Sequence, residues 1–206
     1  MWGIPLDDVE WHGGQAIATG DMHSNLPALT LKEIAAKSGR TGGPIAGHNE
    51  IVADGAGMGF ASHICDVEVD PETGRSQVVR YTVVQDAGKA INPDYVEGQF
   101  QGAAAQGIGW ALNEEYIYGD DGRLQNAGFL DYRIPVCSDM PFIDTKILEV
   151  PNPNHPYGIR GVGETSIVPP LGAVGNAIAD ATGVRMTHAP MSPPRVLSAL
   201  DARDAG

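Results

Sequence analysis

The chain is 206 residues long, 42% hydrophobic and strongly acidic, with a formal net charge of −13. That length and hydrophobic content suit a folded domain with a real core and exclude a disordered chain. The acidic balance argues against a nucleic-acid backbone or an anionic membrane surface as the partner. The N-terminus has no basic, apolar leader and no stretch approaches membrane-spanning length, so we expect a cytoplasmic protein without membrane insertion.

The first 60 residues are mostly irregular. A short strand is predicted at Gln15–Thr19, and a helix is predicted over 26–39 with Gly39 as its stop. The glycine-rich stretches at 40–50 and 53–59 are predicted to be loops.

The clearest β signal is a hairpin. Residues 60–70 and 75–86 alternate between apolar and polar side chains around the turn sequence Asp70–Gly74. One face of the first strand holds His63, Cys65, Val67 and Val69, and the other face holds Ser62, Ile64, Asp66 and Glu68. A second turn is predicted from "NPD" at 92–94.

Helices dominate the second half of the chain. Apolar residues recur at helical spacing over 96–115, although the four glycines there each cost about 1 kcal/mol relative to alanine. A helix that begins at Pro169 is predicted to end at Gly183, and Ser192 is predicted to cap the last helix. A hairpin at 116–126 and a strand at 144–150 complete an α+β fold with a mixed, largely antiparallel sheet and no convincing domain boundary.

Several familiar catalytic motifs are absent from the sequence. There is no P-loop, no nucleophile elbow and no HExxH motif, and the glycine-rich segments do not fit the dinucleotide fingerprint. Cys65 and Cys137 belong to no CxxC or Cys/His cluster, so the chain alone predicts neither a zinc site nor an iron–sulfur site.

Two groups of polar residues remain as candidates. The helix at 96–115 offers the amides of Gln99, Gln106 and Asn113 on one face, which suit a heterocycle with donor and acceptor edges, such as a pterin. Close helix packing explains the same small residues, and periodicity alone favours that explanation.

The second candidate is Glu164, which directly follows Gly161-Val162-Gly163 and precedes a proline-opened helix. A carboxylate near a helix N-terminus gains about 0.3–1 kcal/mol from the helix dipole. Alternatively, a glycine loop can bring a general base against a cofactor. The residues alone leave both interpretations open.

The segments "VEGQFQGAAAQGIGWALNEE" (96–115) and "GIRGVGETSIVPPLGAVGNAIADATG" (158–183) resemble the C-terminal part of the molybdopterin-binding large subunit in the xanthine oxidase/aldehyde oxidase family. The hairpin "HICDVEVDPETGRSQVVRYTVVQDAGKAINP" (63–93) and the closing "PMSPPRVLSAL" (190–200) match the same family in the same order. The similarity runs from about Gly55 to Leu200, and residues 1–50 add little to it.

This resemblance implies a molybdenum hydroxylase that oxidises an aldehyde or an N-heterocycle with oxygen from water. Residues 1–206 would form the C-terminal portion of a larger molybdopterin-binding domain, and bacterial members generally carry the cytosine dinucleotide form of molybdopterin. Glu164 matches the family's catalytic glutamate, the general base on the molybdenum-bound hydroxyl. The positions that match cofactor contacts are Gln106, the backbone of Gly161, Val162 and Gly163, and, in a segment near the metal, Ser62 and His63.

The resemblance also implies partner chains. The family subunit is several times longer, so the remaining walls of the site would come from a longer molybdenum-binding subunit, with a 2Fe–2S subunit and an FAD subunit carrying electrons away. The alternative is a noncatalytic structural or assembly subunit that only completes a partner's cofactor pocket. The presence of Glu164 favours catalysis over this alternative.

Overall fold

The computed structural model describes residues 1–52, 55 and 57–206 of the chain. Its internal contacts divide the chain into two compact units, Met1–Val52 and Ala53–Gly206. The sequence contains no convincing boundary because glycine and proline are spread along its whole length; the structure instead separates the first 52 residues. Part of the predicted loop at 53–59 lies outside the described residues.

The first unit contains a small antiparallel sheet and one helix. Its strands are β1 (Val9–His12), β2 (Gln15–Ala18) and β3 (Leu29–Thr30), in the order β1-β2-β3. The predicted short strand is therefore confirmed as β2. The helix α1 (Leu31–Ser38) starts later than predicted because Thr30 ends a strand and caps the helix, exchanging hydrogen bonds with Glu33.

The second unit is built on a three-stranded mixed sheet. The predicted hairpin is confirmed as β4 (Ala61–Val69) and β5 (Ser76–Asp86), which pair antiparallel. The third strand, β6 (Ile143–Leu148), runs parallel to β5 on its other side. Three helices accompany this sheet: α2 (Pro93–Leu112), α3 (Pro169–Thr182) and α4 (Pro193–Asp204).

One face of the sheet and the helices enclose the core. From Tyr81 onward, the odd-numbered positions of β5 point inward, so Tyr81, Val83 and Gln85 are fully buried. The buried apolar residues of α2 and α3 that join this core are Phe100, Ala104, Ile108, Ala111, Val174 and Ile178. Burial at about 25 cal/mol per Å² of apolar surface makes this cluster the main source of stability in the second unit.

Some glycines of α2 are explained by the close approach of proline side chains. A Cβ on Gly107 would lie 2.7 Å from the Pro170 side chain at the start of α3, and a Cβ on Gly109 would lie 2.7 Å from Pro135. A Cβ on Gly98 or Gly102, by contrast, would meet nothing within 4 Å, so no packing among the described residues requires these two glycines. The packing interpretation therefore accounts for half of the helix's glycines.

The structure corrects two local predictions and confirms a third. The "NPD" segment is not a turn: the Asn92 side chain accepts a hydrogen bond from the Tyr95 N–H and caps α2, with Pro93 in its first turn. Ser192 precedes α4 as predicted, but its side chain makes no capping bond. The hairpin predicted at 116–126 is confirmed as a short one: the antiparallel bridge of Tyr118 with Leu124 is flanked by two backbone hydrogen bonds between its arms.

Candidate active site

Glu164 lies in the exposed middle of a loop, residues 160–166, which we call the Glu164 loop. The residue precedes a short 3₁₀ turn, Thr165–Ile167, which leads directly into α3. Its carboxylate makes no capping hydrogen bond to this turn and is exposed. The Glu164 side chain therefore forms no hydrogen bond that would stabilise the start of the following turn.

The two glycines before Glu164 face open space. A Cβ on Gly161 would have no atom within 4 Å, and a Cβ on Gly163 would meet only the Gln99 Oε1, at 3.7 Å. Between them, Val162 packs its side chain against the core. The loop is thus held with its glycine backbone outward, beside the amide-bearing face of α2.

The first end of the Glu164 loop is fixed by a buried ion pair. Arg160 Nε lies 2.9 Å from Asp86 Oδ2, and their side chains are only 11% and 7% exposed. Arg160 also donates from Nη1 to the Met58 carbonyl at 2.7 Å. Its backbone N–H donates to the Ala87 carbonyl at 3.1 Å, so the loop starts as a short extension beside the end of β5.

The other end of the loop is fixed by a buried neutral hydrogen bond. Ser166 Oγ donates to Gln85 Oε1, and both residues are fully buried. Gln85 is the neighbour of Asp86 in β5, so consecutive residues of one strand hold both ends of the loop. Sequence reasoning missed Gln85, Asp86 and Arg160; the available signal was a polar pair, "QD", that directly follows the apolar pair Val83-Val84 at the end of the strand.

Gln106 lies on the exposed side of α2. It lines a cavity of about 330 Å³ together with Gly102, Ala105, Glu114, Ile134 and Pro135. Its amide has no hydrogen-bond partner among the described residues and is open to a ligand. A second cavity of about 470 Å³ is bordered by Asn113, the last of the three candidate amides of α2, but by none of the residues that match cofactor contacts in the family.

Ser62 and His63 point to opposite faces of β4. Ser62 is exposed, whereas His63 turns inward, where its Nδ1 lies 2.8 Å from the Tyr81 hydroxyl. Burial lowers the pKa of His63 to about 4, so the ring is neutral at pH 7. Its Nε2 is buried and has no hydrogen-bond partner in the described part of the chain. The two residues therefore cannot serve one site from the same side of the sheet.

These features fit an organic cofactor held by hydrogen bonds better than a metal held directly by the chain. Exposed glycine backbone and unpaired side-chain amides can donate hydrogen bonds to a heterocycle, and accept hydrogen bonds from it, at short distance. Across residues 1–52, 55 and 57–206, no group of three or more His, Cys, Asp or Glu side chains is placed to hold a metal ion. Within the same ranges, no helix is both long enough and apolar enough to cross a membrane.

Comparison with known proteins adds independent information. The family model described as "Molybdopterin cofactor-binding domain" matches residues 1–141. The chain is 32% identical, over 174 residues, to the putative xanthine dehydrogenase molybdenum-binding subunit of Escherichia coli K12, covering 82% of this chain and 23% of that protein. It is 38% identical, over 145 residues, to the aldehyde oxidoreductase of Megalodesulfovibrio gigas, covering 69% of this chain and 15% of the relative.

Solved structures agree with these relatives. The Cu,Mo-CO dehydrogenase in its carbon-monoxide-reduced state superposes with a TM-score of 0.76 at 25% identity, over 98% of this chain and 26% of that one. Quinoline 2-oxidoreductase from Pseudomonas putida 86 gives a TM-score of 0.74 at 28% identity, over 95% and 26% of the two chains. The chain thus spans about a quarter of the length of these two structures.

The family model covers more than half of the chain, and the relatives and solved structures point to the same group. The chain therefore belongs to the molybdopterin cofactor-binding domain family and corresponds to part of the molybdenum-binding subunit of xanthine oxidase/aldehyde oxidase-type oxidoreductases.

Proposed function

We propose that the chain forms one wall of the active site of a molybdenum hydroxylase, with Glu164 as the general base. The enzyme would oxidise an aldehyde or an N-heterocycle with oxygen taken from water. The observation that carries this proposal is the Glu164 loop: an exposed carboxylate follows two glycines that face open space, and both ends of the loop are held to β5.

The cofactor, when bound, supplies oxygen transfer to the substrate and removal of two electrons. The chain's own contribution is the handling of a proton. An exposed carboxylate that makes no internal hydrogen bond is free to accept the proton released when water provides the oxygen. Gly161 and Gly163 allow the backbone to approach the cofactor without a Cβ clash, so the carboxylate can reach the reacting group.

Gln106 would hold the cofactor from the other side, through its amide. The side chain borders the 330 Å³ cavity beside Gly102, where an added methyl would meet nothing in the described chain. An amide presents one acceptor and two donor hydrogens, which match the mixed edge of a pterin. The cofactor is proposed to be the cytosine dinucleotide form of molybdopterin, by similarity to bacterial members of the family.

The chain would work with partner chains. Phe129, Leu130 and Phe142 are 98%, 93% and 78% exposed, which is unusual for large apolar side chains and typical of a surface that another polypeptide covers. We propose the longer part of a molybdenum-binding subunit as that polypeptide, with a 2Fe–2S subunit and an FAD subunit as electron carriers. Similar proteins include a subunit of the 6-hydroxypseudooxynicotine dehydrogenase complex, which is 38% identical over 138 residues.

A noncatalytic role is the second candidate. In this role, the chain would only complete the cofactor pocket of a partner. The exposed Glu164 argues against it, because the carboxylate neither caps the following turn nor pairs with a cation in the described structure. The test is turnover of the assembled complex with Glu164→Gln, normalised to bound molybdenum.

Replacing Gln106 with alanine is expected to lower the molybdenum content of the purified complex, because the cofactor loses amide hydrogen bonds of about 0.5–1.5 kcal/mol each. Molybdenum per complex should be measured by elemental analysis after extensive dialysis. Glu97→Ala is the matched control, since Glu97 is also exposed but lies about two and a half turns earlier, on the opposite side of α2. Equal molybdenum retention in both variants would remove Gln106 from the cofactor site.

A further inference from the structure

We propose that Gln85 and Asp86 are positioning residues that hold the two ends of the Glu164 loop and so fix where the Glu164 carboxylate lies. The inference rests on the proposed function of Glu164 as the base. Neither residue reaches the exposed surface of the loop, since Gln85 is fully buried and Asp86 is 5% exposed. They act on Glu164 only through Ser166 and Arg160.

Asp86 is itself rigidly held. Its Oδ1 accepts hydrogen bonds from the Gly88 N–H at 2.9 Å and the Val150 N–H at 3.0 Å. Its Oδ2 pairs with Arg160 Nε at 2.9 Å. A carboxylate with three fixed partners has little rotational freedom. Asp86 therefore holds Arg160, the first residue of the loop, at a fixed place relative to the sheet.

Gln85 holds the opposite end by a different interaction. It is fully buried, its Oε1 accepts from Ser166 Oγ, and its Nε2 has no partner among the residues that the structure describes. A buried amide with an unpaired donor is unfavourable for folding, so a leucine or methionine would serve the core better. The bond to Ser166 gives a reason for glutamine at this position.

Strand geometry explains how adjacent residues reach two points of the loop. Successive side chains of a strand point to opposite faces, so Gln85 reaches Ser166 on the inner face while Asp86 turns toward Arg160. The two anchor points on the loop, Arg160 and Ser166, enclose Glu164.

The glycine-rich stretch before β4 supports the same loop. A Cβ on Gly57 would lie 2.9 Å from Arg160 Nη1, and a Cβ on Gly59 would lie 2.9 Å from Thr165 Cγ2. Only glycine lets this segment pass so closely beside both parts of the loop. The "GMG" sequence at 57–59 matches no phosphate-binding motif, and its two glycines are instead explained by their close packing against the Glu164 loop.

Anchoring matters because the loop contains glycine on both sides of Val162. Glycine has more accessible backbone conformations than any other residue, so an unanchored loop would spread the Glu164 carboxylate over many positions. A displacement of about 1 Å at a catalytic group can lower the rate about a hundredfold. The two anchors limit this spread before any cofactor is bound.

The first test measures the loop directly. In the complete enzyme complex, hydrogen–deuterium exchange of the peptide covering 161–167 should become about tenfold faster in Gln85→Met and in Ser166→Ala, since each removes one hydrogen bond. Gln77→Met is the matched control, because Gln77 is an exposed glutamine of the same strand. Exchange within twofold of the parent in both variants would overturn the proposal.

The second test links the loop to the reaction. With rates expressed per bound molybdenum, Gln85→Met and Ser166→Ala should lower kcat about tenfold to a hundredfold with KM nearly unchanged, and the double variant should be no worse than either single one. Additive effects of the two substitutions, or faster exchange with an unchanged kcat per molybdenum, would overturn the positioning role. Full activity of Glu164→Gln would instead refute Glu164 as the base. The exchange measurement would then still decide whether Gln85 and Ser166 hold the loop.

Discussion

Glu164→Gln is expected to lower the turnover of the assembled enzyme by about a hundredfold or more, while the bound molybdenum stays at the level of the parent enzyme. Glutamine keeps the size and polarity of the side chain but cannot accept a proton, and general base catalysis contributes about 10²–10⁴ in rate. Folding should be unaffected, because the Glu164 side chain is exposed and makes no hydrogen bond within the described chain. The measurement is steady-state turnover per molybdenum atom.

A matched control separates loss of the base from loss of one negative charge. Glu72→Gln changes the charge identically in the exposed β4–β5 turn and should leave turnover unchanged. If Glu164→Gln keeps the turnover of this control, proton transfer does not use Glu164. That result would favour the noncatalytic interpretation of the chain.

Asp86→Asn is expected to lower the free energy of unfolding by about 3–5 kcal/mol, because it leaves Arg160 as a buried charge without its partner. Both side chains of the pair are nearly inaccessible, at 7% and 11% exposure, so water cannot replace the lost carboxylate. The measurement is urea unfolding of the chain, with the fluorescence of its tryptophans as the signal.

Asp66→Asn provides the comparison on the neighbouring strand. It removes a pair of similar geometry, Asp66 to Arg80 at 2.6 Å, whose side chains are 43% and 67% exposed. Solvated pairs contribute about 0–1 kcal/mol, so this change should barely shift the unfolding curve. Equal effects of the two substitutions would show that the Asp86–Arg160 pair does not hold the loop.

Much of the second unit follows from local sequence. The alternation over β4 and β5, with turn chemistry at Asp70–Gly74, is sufficient for the hairpin because one face must be buried. The α3 helix is equally local: prolines open it, and Gly183 ends it with φ of 74°, a conformation that glycine adopts without strain. These elements needed no knowledge of their tertiary neighbours.

Other features depended on tertiary structure and could not be predicted from local patterns. The "NPD" sequence favours a turn and a helix start equally, and α2 continues only because its apolar residues pack on the sheet. The parallel pairing of β6 with β5 joins segments separated by the whole of α2, so no local signal sets it. The pairing of such distant segments is determined by the packing of the core and not by the sequence of either segment alone.

In the candidate site, too, some residues can be identified from the sequence and others only from the tertiary structure. Glu164 is identified through the resemblance, since the residues alone leave stabilisation by the helix dipole and catalysis equally open. The structure shows no capping bond from Glu164 and shows that both neighbouring glycines face open space, which supports its exposure to a ligand. Gln85 and Ser166 are 81 positions apart in the sequence, and Asp86 and Arg160 are 74 apart, so only the fold brings each pair together.

The Glu164 loop and the amide face of α2 are proposed to border the molybdenum cofactor. A crystal structure of the complete enzyme, with anomalous difference density measured at the molybdenum absorption edge, would locate the metal relative to both. We expect the molybdenum peak beside the Glu164 carboxylate, separated from it by no more than one bound ligand, with Gln106 in hydrogen-bond contact with the pterin. A molybdenum peak remote from this loop, with Glu164 facing solvent in the assembled enzyme, would contradict this proposal.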